Sequence, residues 1–434
     1  MVSDKTQINS FYVIASGLFK YDVSQIDRKD LWQKYFHWQN RINGGDFKAT
    51  FDYFNTSYYD GYLNNIFPEI RHDKSSRSNL DLNYLNHLTN KQFTEKTIKA
   101  DLFINPEKSI ECSIDFVDLY LFPNDIGIFT IKFSLTNEDS NLGDASDFVN
   151  RIRQLNSKIK IDNEETDIFS FVNENILKPL NIKEDWKTFN PQLKTYNILD
   201  LKEEITEKEM DYLLYDMGNV SPIGASSGNG TFAPSQAYFE QQLKSSKLSV
   251  FKNWSVAILF DTFTRISSNF PDTFQSWEYD YFHIYIHSLH LKFYMYLTNS
   301  KISDVTTVTK ETEAIRDNFI EFINDYYQTH ISYKFLPDMI QDKLLDALEI
   351  RSEVEVMETK IKRINEHAQE KRERKMNMVL LILTYLSVIS LVHSFSNWIG
   401  NLGIDKQIVF PYISLSFAVT IFGVILILLN FRKK

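Results

Sequence analysis

The chain has 434 residues and a net charge of −10, with 43% hydrophobic and 15% aromatic residues. This composition excludes a disordered tail on an anchor and predicts one large or two ordinary folded domains. The acidic balance argues against a general nucleic-acid binder, so no direct DNA or RNA binding is expected. The single cysteine, Cys112, excludes an intramolecular disulfide.

Residues 1–300 are predicted to form a cytosolic α/β or α+β ligand-sensing domain. Two β-rich runs between residues 109 and 135 flank Pro123, Asn124 and Asp125, which predicts a hairpin. Residues 144–160 and 164–178 have helical spacing. Strand-rich and helical stretches therefore alternate, and whether residues 1–90 form a separate domain stays open.

One loop rich in glycine and serine covers residues 218–230. Backbone amides in such a loop can approach a phosphate, although no established nucleotide-binding spacing is present. A flexible surface loop is the alternative interpretation. The candidate ligand-binding residues are Gly224, Ser226, Ser227, Gly228 and Gly230.

Helices are predicted at residues 277–297 and 304–327, followed by one uninterrupted helix over residues 338–399, which lack Gly and Pro. The segment 301–375 is assigned as a helical stalk. Its heptad spacing predicts association with copies of the chain or with the preceding helices. The seam residues are Ile350, Val354, Met357, Ile361, Ile364 and Ala368.

His283, His287 and His290 share one face of a predicted helix and are weighed as a zinc site against an ordinary amphipathic or interface helix. Whether the chain holds a metal is left unknown. The chain contains no Ser-His-Asp, His-Glu-x-x-His or Cys-x-x-Cys pattern, so no enzymatic activity is expected.

Two apolar runs near the C-terminus predict transmembrane helices at residues 376–400 and 409–431, with an outer loop at 401–408 and a basic tail at 432–434. A helix needs about 20 residues to cross the hydrocarbon core of a bilayer. Basic residues precede the first span and follow the second, which predicts cytoplasmic termini.

Polar residues of the first span fall in a sector of about 80° when about 100° separates neighbouring residues. They are Ser387, Ser390, Ser394, Asn397 and Asn401. Toward the cytoplasm the same face becomes apolar, at Met376, Leu380 and Leu383. A polar segment beside a hydrophobic constriction is typical of a gated pore, which requires a ring of subunits. Close helix packing is the alternative.

This arrangement resembles the CorA-type two-span cation channels, which have a cytosolic α/β domain, a stalk helix continuous with the pore-lining span and a basic tail. The resemblance implies a homopentamer in a lipid bilayer, and a tetramer also fits the stalk pattern. The family's Gly-Met-Asn signature is absent, and Ile399-Gly400-Asn401 stands in its place. Asn401 is therefore expected to supply the amide of an altered filter.

The large aromatic cytosolic part and the Gly/Ser loop look more like a divergent branch associated with type III CRISPR systems. That resemblance implies an antiviral effector in the inner membrane of a prokaryote, gated by S-adenosylmethionine-AMP. The alternatives are a divalent-cation (magnesium-type) transporter and a membrane-anchored sensor without a pore.

Overall fold

The computed structural model describes residues 3–42, 47–68, 80–81, 83–182, 184–228, 233–268, 276–303 and 310–401, with Pro411, Ser414 and Ile421. The chain divides into two compact units. The first comprises residues 1–305 and 314–357, and the second comprises 306–313 and 358–434. Residues 1–90 therefore belong to the large first unit.

The first unit contains a mixed sheet. Its strands are β1 (Ile8–Lys20), β2 (Tyr35–His37), β3 (Asn86–Asn90), β4 (Ile98–Asn105), β5 (Lys108–Leu121), β6 (Ile126–Leu135), β7 (Lys158–Ile161), β8 (Glu164–Asp167), β9 (Lys194–Leu201), β10 (Lys247–Phe251), β11 (Trp254–Ile258) and β12 (Thr262–Ser268). Their order is β10-β11-β12-β9-β1-β6-β5-β4-β7-β8, with β3 also on β5 and β2 on β3. β9 and β12 pair in parallel, whereas the neighbouring pairs β1–β9 and β1–β6 are antiparallel.

Helices occur both between the strands and after them. They are α1 (Arg28–Lys34), α2 (Gln39–Ile42), α3 (Phe47–Ser57), α4 (Asp60–Ile66), α5 (Gln92–Glu95), α6 (Leu142–Ile152), α7 (Ile168–Val172), α8 (Glu207–Gly218), α9 (Gln236–Ser246), α10 (Tyr281–Ser303), α11 (Lys310–Tyr326), α12 (Phe335–Ala347) and α13 (Ile350–Asn401). A π-helical turn, Ser276–Asp280, leads into α10.

Both faces of the sheet are covered. Val13 of β1 lies in one hydrophobic cluster with Phe148 of α6 and Leu214 of α8. On the other face, the ring centroid of Tyr196 in β9 lies 5.6 Å from that of Tyr285 in α10. Since a sheet buried on both faces exposes little apolar area, the strands can be hydrophobic along most of their length. The mixed α/β prediction for the N-terminal part is confirmed.

The predicted hairpin is confirmed as β5 and β6. Its turn contains Asp125 in the left-handed region, at φ 62°. The predicted helix over residues 144–160 is wrong in its second half, because α6 ends at Ile152 and Lys158–Ile161 forms β7. The alternation Lys-Ile-Lys-Ile has the period of a strand, and β7 lies between β4 and β8 in the sheet.

The prediction of one helix over residues 338–399 is also wrong, because a break separates α12 from α13. Glu349 takes a left-handed backbone conformation at φ 56°, which ends a helix even without glycine. Arg351 spans the break, with 2.6 Å from its guanidinium to Asp342 and 2.7 Å to Asp346. These ion pairs therefore join the end of α12 to the start of α13 across the break.

Among the described residues, one helix is long and apolar enough to cross a membrane by length and composition, and it is α13. Its 52 residues span about 78 Å at the α-helical rise. The predicted second span, 409–431, lies outside the described residues except for Pro411, Ser414 and Ile421. The outer loop was predicted at 401–408, but Asn401 is the last described residue of α13; residues 402–408 and the basic tail at 432–434 lie outside the described residues.

Candidate functional site

The polar stripe of the predicted first span lies on α13. Ser387, Ser390, Ser394, Asn397 and Asn401 are all exposed in the single chain. The Ser387 hydroxyl donates to the carbonyl of Leu383 at 2.9 Å, so this group is satisfied within its own helix. Its oxygen lone pairs remain available as hydrogen-bond acceptors.

The apolar continuation of this face is exposed too. Met376 is 59% exposed, and Leu380 and Leu383 are each 54% exposed. A monomer in water would leave these side chains uncovered, which is costly. Their exposure among the described residues fits a helix whose length and composition suit a membrane span.

The heptad seam of the stalk is largely buried within the chain itself. Ile350, Val354 and Met357 are each at most 5% exposed, and Ile361 and Ala368 are 6% and 7% exposed. These side chains are therefore buried within the single chain. The association of the stalk with copies of the chain or with the preceding helices stays a prediction.

The Gly/Ser loop is bound to an acidic side chain of α8. The amides of Gly224 and Ser226 donate to the two carboxylate oxygens of Asp216, at 2.8 and 2.9 Å. Ser227 donates its hydroxyl to the Gly224 carbonyl. Asp216 thus occupies the place where the sequence predicted a phosphate, and the adjoining cavity has a volume of about 20 Å³. Gly228 is exposed, and Gly230 lies outside the described residues.

His283, His287 and His290 are buried on α10. Their rings lie among aromatic residues: His290 stacks on Phe122 at 3.7 Å and is 3.1 Å from the Asn124 side chain. Within the described part of the chain, no group of three metal-ligating side chains is brought together. These contacts are those of a helix packed in the interior.

We expect the buried imidazoles of His87, His283, His287 and His290 to make the protein sensitive to acid. Burial lowers the pKa of His87 and of His287 to about 4, and burial also lowers the pKa values of His283 and His290. The unfolded chain binds these protons at an ordinary pKa of about 6.5, so stability is fully present above that pH. It falls as the pH drops toward 4, by about 3 kcal/mol for each of His87 and His287.

Chemical denaturation of the purified protein between pH 4 and 7.5 measures this loss. Asp280 has the opposite effect on stability. Burial raises its pKa to about 7, so the folded state binds this proton more readily than the unfolded chain and gains stability as the pH falls. The variant His287→Leu should lose less stability on acidification than the wild type, and His367→Gln, at an exposed position, should follow the wild type. A free energy of unfolding that is constant over this range would contradict the prediction.

A charged cleft of about 530 Å³ opens on the sheet where β5 changes partner. The first half of β5 pairs with β4 and its last residues pair with β3. Between them the register shifts against β6, so Asp115 is an extra residue at a bulge. The cleft is lined by Phe36, Arg41, Thr94, Glu95, Asp115, Phe116, Lys132, Glu278 and Tyr279.

Alternating charges cross this cleft. Arg41 is 3.0 Å from Asp118 and 3.8 Å from Glu278, and Lys132 is 2.7 Å from Glu278 and 3.4 Å from Asp115. Asp118 is fully buried. Burial raises its pKa, but the Arg41 guanidinium and a hydrogen bond from His87 lower it more, so the net pKa is below the ordinary value.

The sequence contains a signal for this cleft. Asp118 interrupts the apolar run at residues 116–122 and Lys132 interrupts β6, and a charge on a buried strand requires a partner. The partners come from α2 and from the π-helical turn, which are far apart in sequence. Only the fold brings them together.

A second cavity, of about 490 Å³, lies between the β5–β6 turn and helices α10 and α11. Tyr294 and Phe322 stack in its wall with ring centroids 3.5 Å apart. Asp125, Glu321 and Asp325 line it together with Lys301. Carboxylates outnumber cations here, so the cavity disfavours an anionic ligand.

No protein-family model and no curated protein matches this chain.

Proposed function

We propose that the protein is a homo-oligomeric membrane channel of CorA-like architecture. In this proposal α13 lines the pore: its Ser/Asn stripe faces the permeating ion, and Met376, Leu380 and Leu383 form the closed constriction. Hydroxyl and amide oxygens replace part of an ion's hydration shell, whereas an apolar ring closes a pore by excluding water.

One observation carries the proposal. α13 continues without a break from buried residues at Ile350 and Val354 to an exposed apolar segment that bears five polar residues on one face. A helix that serves only as an anchor has no need for a polar sector near its outer end. A movement of the first turns would pass along a continuous helix to the constriction.

The proposed trigger is a cytosolic nucleotide, S-adenosylmethionine-AMP, and the proposed role is antiviral defence at the inner membrane of a prokaryote. The resemblance described above supports this ligand. A large folded domain on the N-terminal side of α13 supports control from the cytosol. A magnesium-type transporter with an altered filter is the competing function.

Ion flux from liposomes that contain the purified full-length protein tests the proposal. We expect flux when S-adenosylmethionine-AMP is present and little flux without it. Flux that responds to magnesium and is indifferent to the nucleotide would replace the proposal by the transporter. An absence of flux under both conditions would leave a membrane-anchored sensor and would contradict a channel.

A further inference from the structure

Two lysines lie against an exposed aromatic ring, and an arginine joins them through a shared carboxylate. We define the cation cluster as Arg153, Lys194 and Lys292: the two lysines lie against Phe260 in the turn between β11 and β12, and Arg153 is linked to Lys194 through Asp261. The ammonium groups of Lys194 and Lys292 lie 4.2 and 5.0 Å from the centroid of the Phe260 ring. The ring itself is 47% exposed.

Carboxylates do not balance the cation cluster. Asp261 contacts both Arg153, at 3.3 Å, and Lys194. Lys292 pairs with Glu353 at 2.7 Å. Three cations therefore share two carboxylates, in contrast to the charged cleft, where Glu95, Asp115 and Glu278 outnumber the cations that line it.

The positive charge of the cluster is poorly solvated. Arg153 is 7% exposed, and the side chains of Lys194 and Lys292 are each 15% exposed. Burial lowers the pKa of Lys194; the Asp261 carboxylate opposes this, and the charges of Arg153 and Lys292 lower the pKa further. An added anion would relieve this repulsion.

A buried donor lies beside the cluster. Tyr285 of α10 is 1% exposed, and its hydroxyl has no hydrogen-bond partner among the described residues. Burial raises the pKa of Tyr285, and the nearby charge of Asp261 raises it further. A partnerless hydroxyl next to a surplus of positive charge is suited to a bound oxyanion.

We propose that the cation cluster binds the phosphoryl group of a nucleotide, with the base stacked on Phe260. Lys194 and Lys292 supply charge-assisted hydrogen bonds to the phosphoryl oxygens, and Arg153 adds charge behind them. Exposed aromatic rings give bases a stacking surface without requiring a particular sequence of donors and acceptors. This inference rests on the proposed function, because it locates the ligand of the proposed channel.

The cluster also contacts α13, through the ion pair between Lys292 and Glu353. Glu353, the partner of Lys292, lies in the first turn of α13, and its second carboxylate oxygen is buried with no hydrogen-bond partner among the described residues. A phosphoryl group that takes Lys292 from Glu353 would remove the contact that ties α13 to α10 at this point. Ligand binding and movement of α13 would then be coupled.

Binding to the full-length protein in detergent, measured by calorimetry, tests the site with S-adenosylmethionine-AMP, AMP and inorganic phosphate as probes. We expect Lys194→Met and Lys292→Met each to raise the Kd of both nucleotides by about tenfold or more, the loss of one charge-assisted contact. Phe260→Leu should weaken nucleotide binding and leave phosphate binding unchanged.

Lys247→Met is the matched control. Lys247 has a side-chain exposure of 16% and lies 2.6 Å from Asp211 and 3.8 Å from Glu207, so it resembles Lys292 in burial and in having one carboxylate within hydrogen-bond distance. This variant should bind as the wild type does. Nucleotide binding that is unchanged in both cluster variants would overturn the inference and leave the channel intact. Cluster-dependent binding without any flux would support the site and contradict the channel.

Discussion

Replacing Leu380 by Asn should make the proposed channel conduct without ligand. Leu380 lies on the same face of α13 as the polar stripe and is 54% exposed. An amide at this position would allow water to enter the constriction, and a wet constriction does not close. We expect ligand-free flux from liposomes to rise by about tenfold or more.

The neighbouring variant Leu381→Asn is the control for this experiment. It introduces the same amide about 100° around the helix, away from the stripe. Any general damage to membrane insertion would affect both variants, whereas a leak confined to Leu380→Asn would come from the pore. Liposomes with Leu380→Asn that stay as tight as the wild type would contradict the placement of the gate.

Removing the buried carboxylate of Asp118 should be the most destabilising single change in the charged cleft. Asp118 is fully buried and lies 3.0 Å from Arg41 and 3.1 Å from His87. Asp118→Ala would leave the Arg41 guanidinium without its closest carboxylate, at a cost of about 3–5 kcal/mol. Chemical denaturation of the purified protein measures the loss.

Two further variants show whether the effect comes from the buried pair. Asp115→Ala removes a carboxylate that is 27% exposed, and we expect a loss of about 1 kcal/mol or less. The double variant Arg41→Met/Asp118→Leu should be more stable than Asp118→Ala, because it buries no unpaired charge. Equal losses for Asp115→Ala and Asp118→Ala would rule out a special role for burial.

The sequence predicted the features that depend on neighbouring residues. The β5–β6 hairpin followed from two β-rich runs around Pro123 and Asp125, and the membrane-length helix followed from its apolar composition. Both signals are contained within a few turns or strands. Local patterning decides such elements with little help from the rest of the chain.

Features that depend on contacts between elements were missed. The break at Glu349 after α12 carries no Gly or Pro, and the ion pairs of Arg351 with Asp342 and Asp346 stabilise it only once both helices are in place. The cation cluster joins Arg153, just after α6, to β9, α10 and the β11–β12 turn, and its residues are spread over positions 153–292. Charge count along the sequence does not reveal such a convergence.

The length of α13 between its buried start and its polar stripe fixes the angle between them. α13 is one continuous helix that begins at Ile350, and its first turns bury Ile350, Val354 and Met357. Each residue added between Met357 and Ser387 would rotate the stripe by about 100° relative to those buried side chains of the same helix. Insertions before Ile350 leave this angle unchanged.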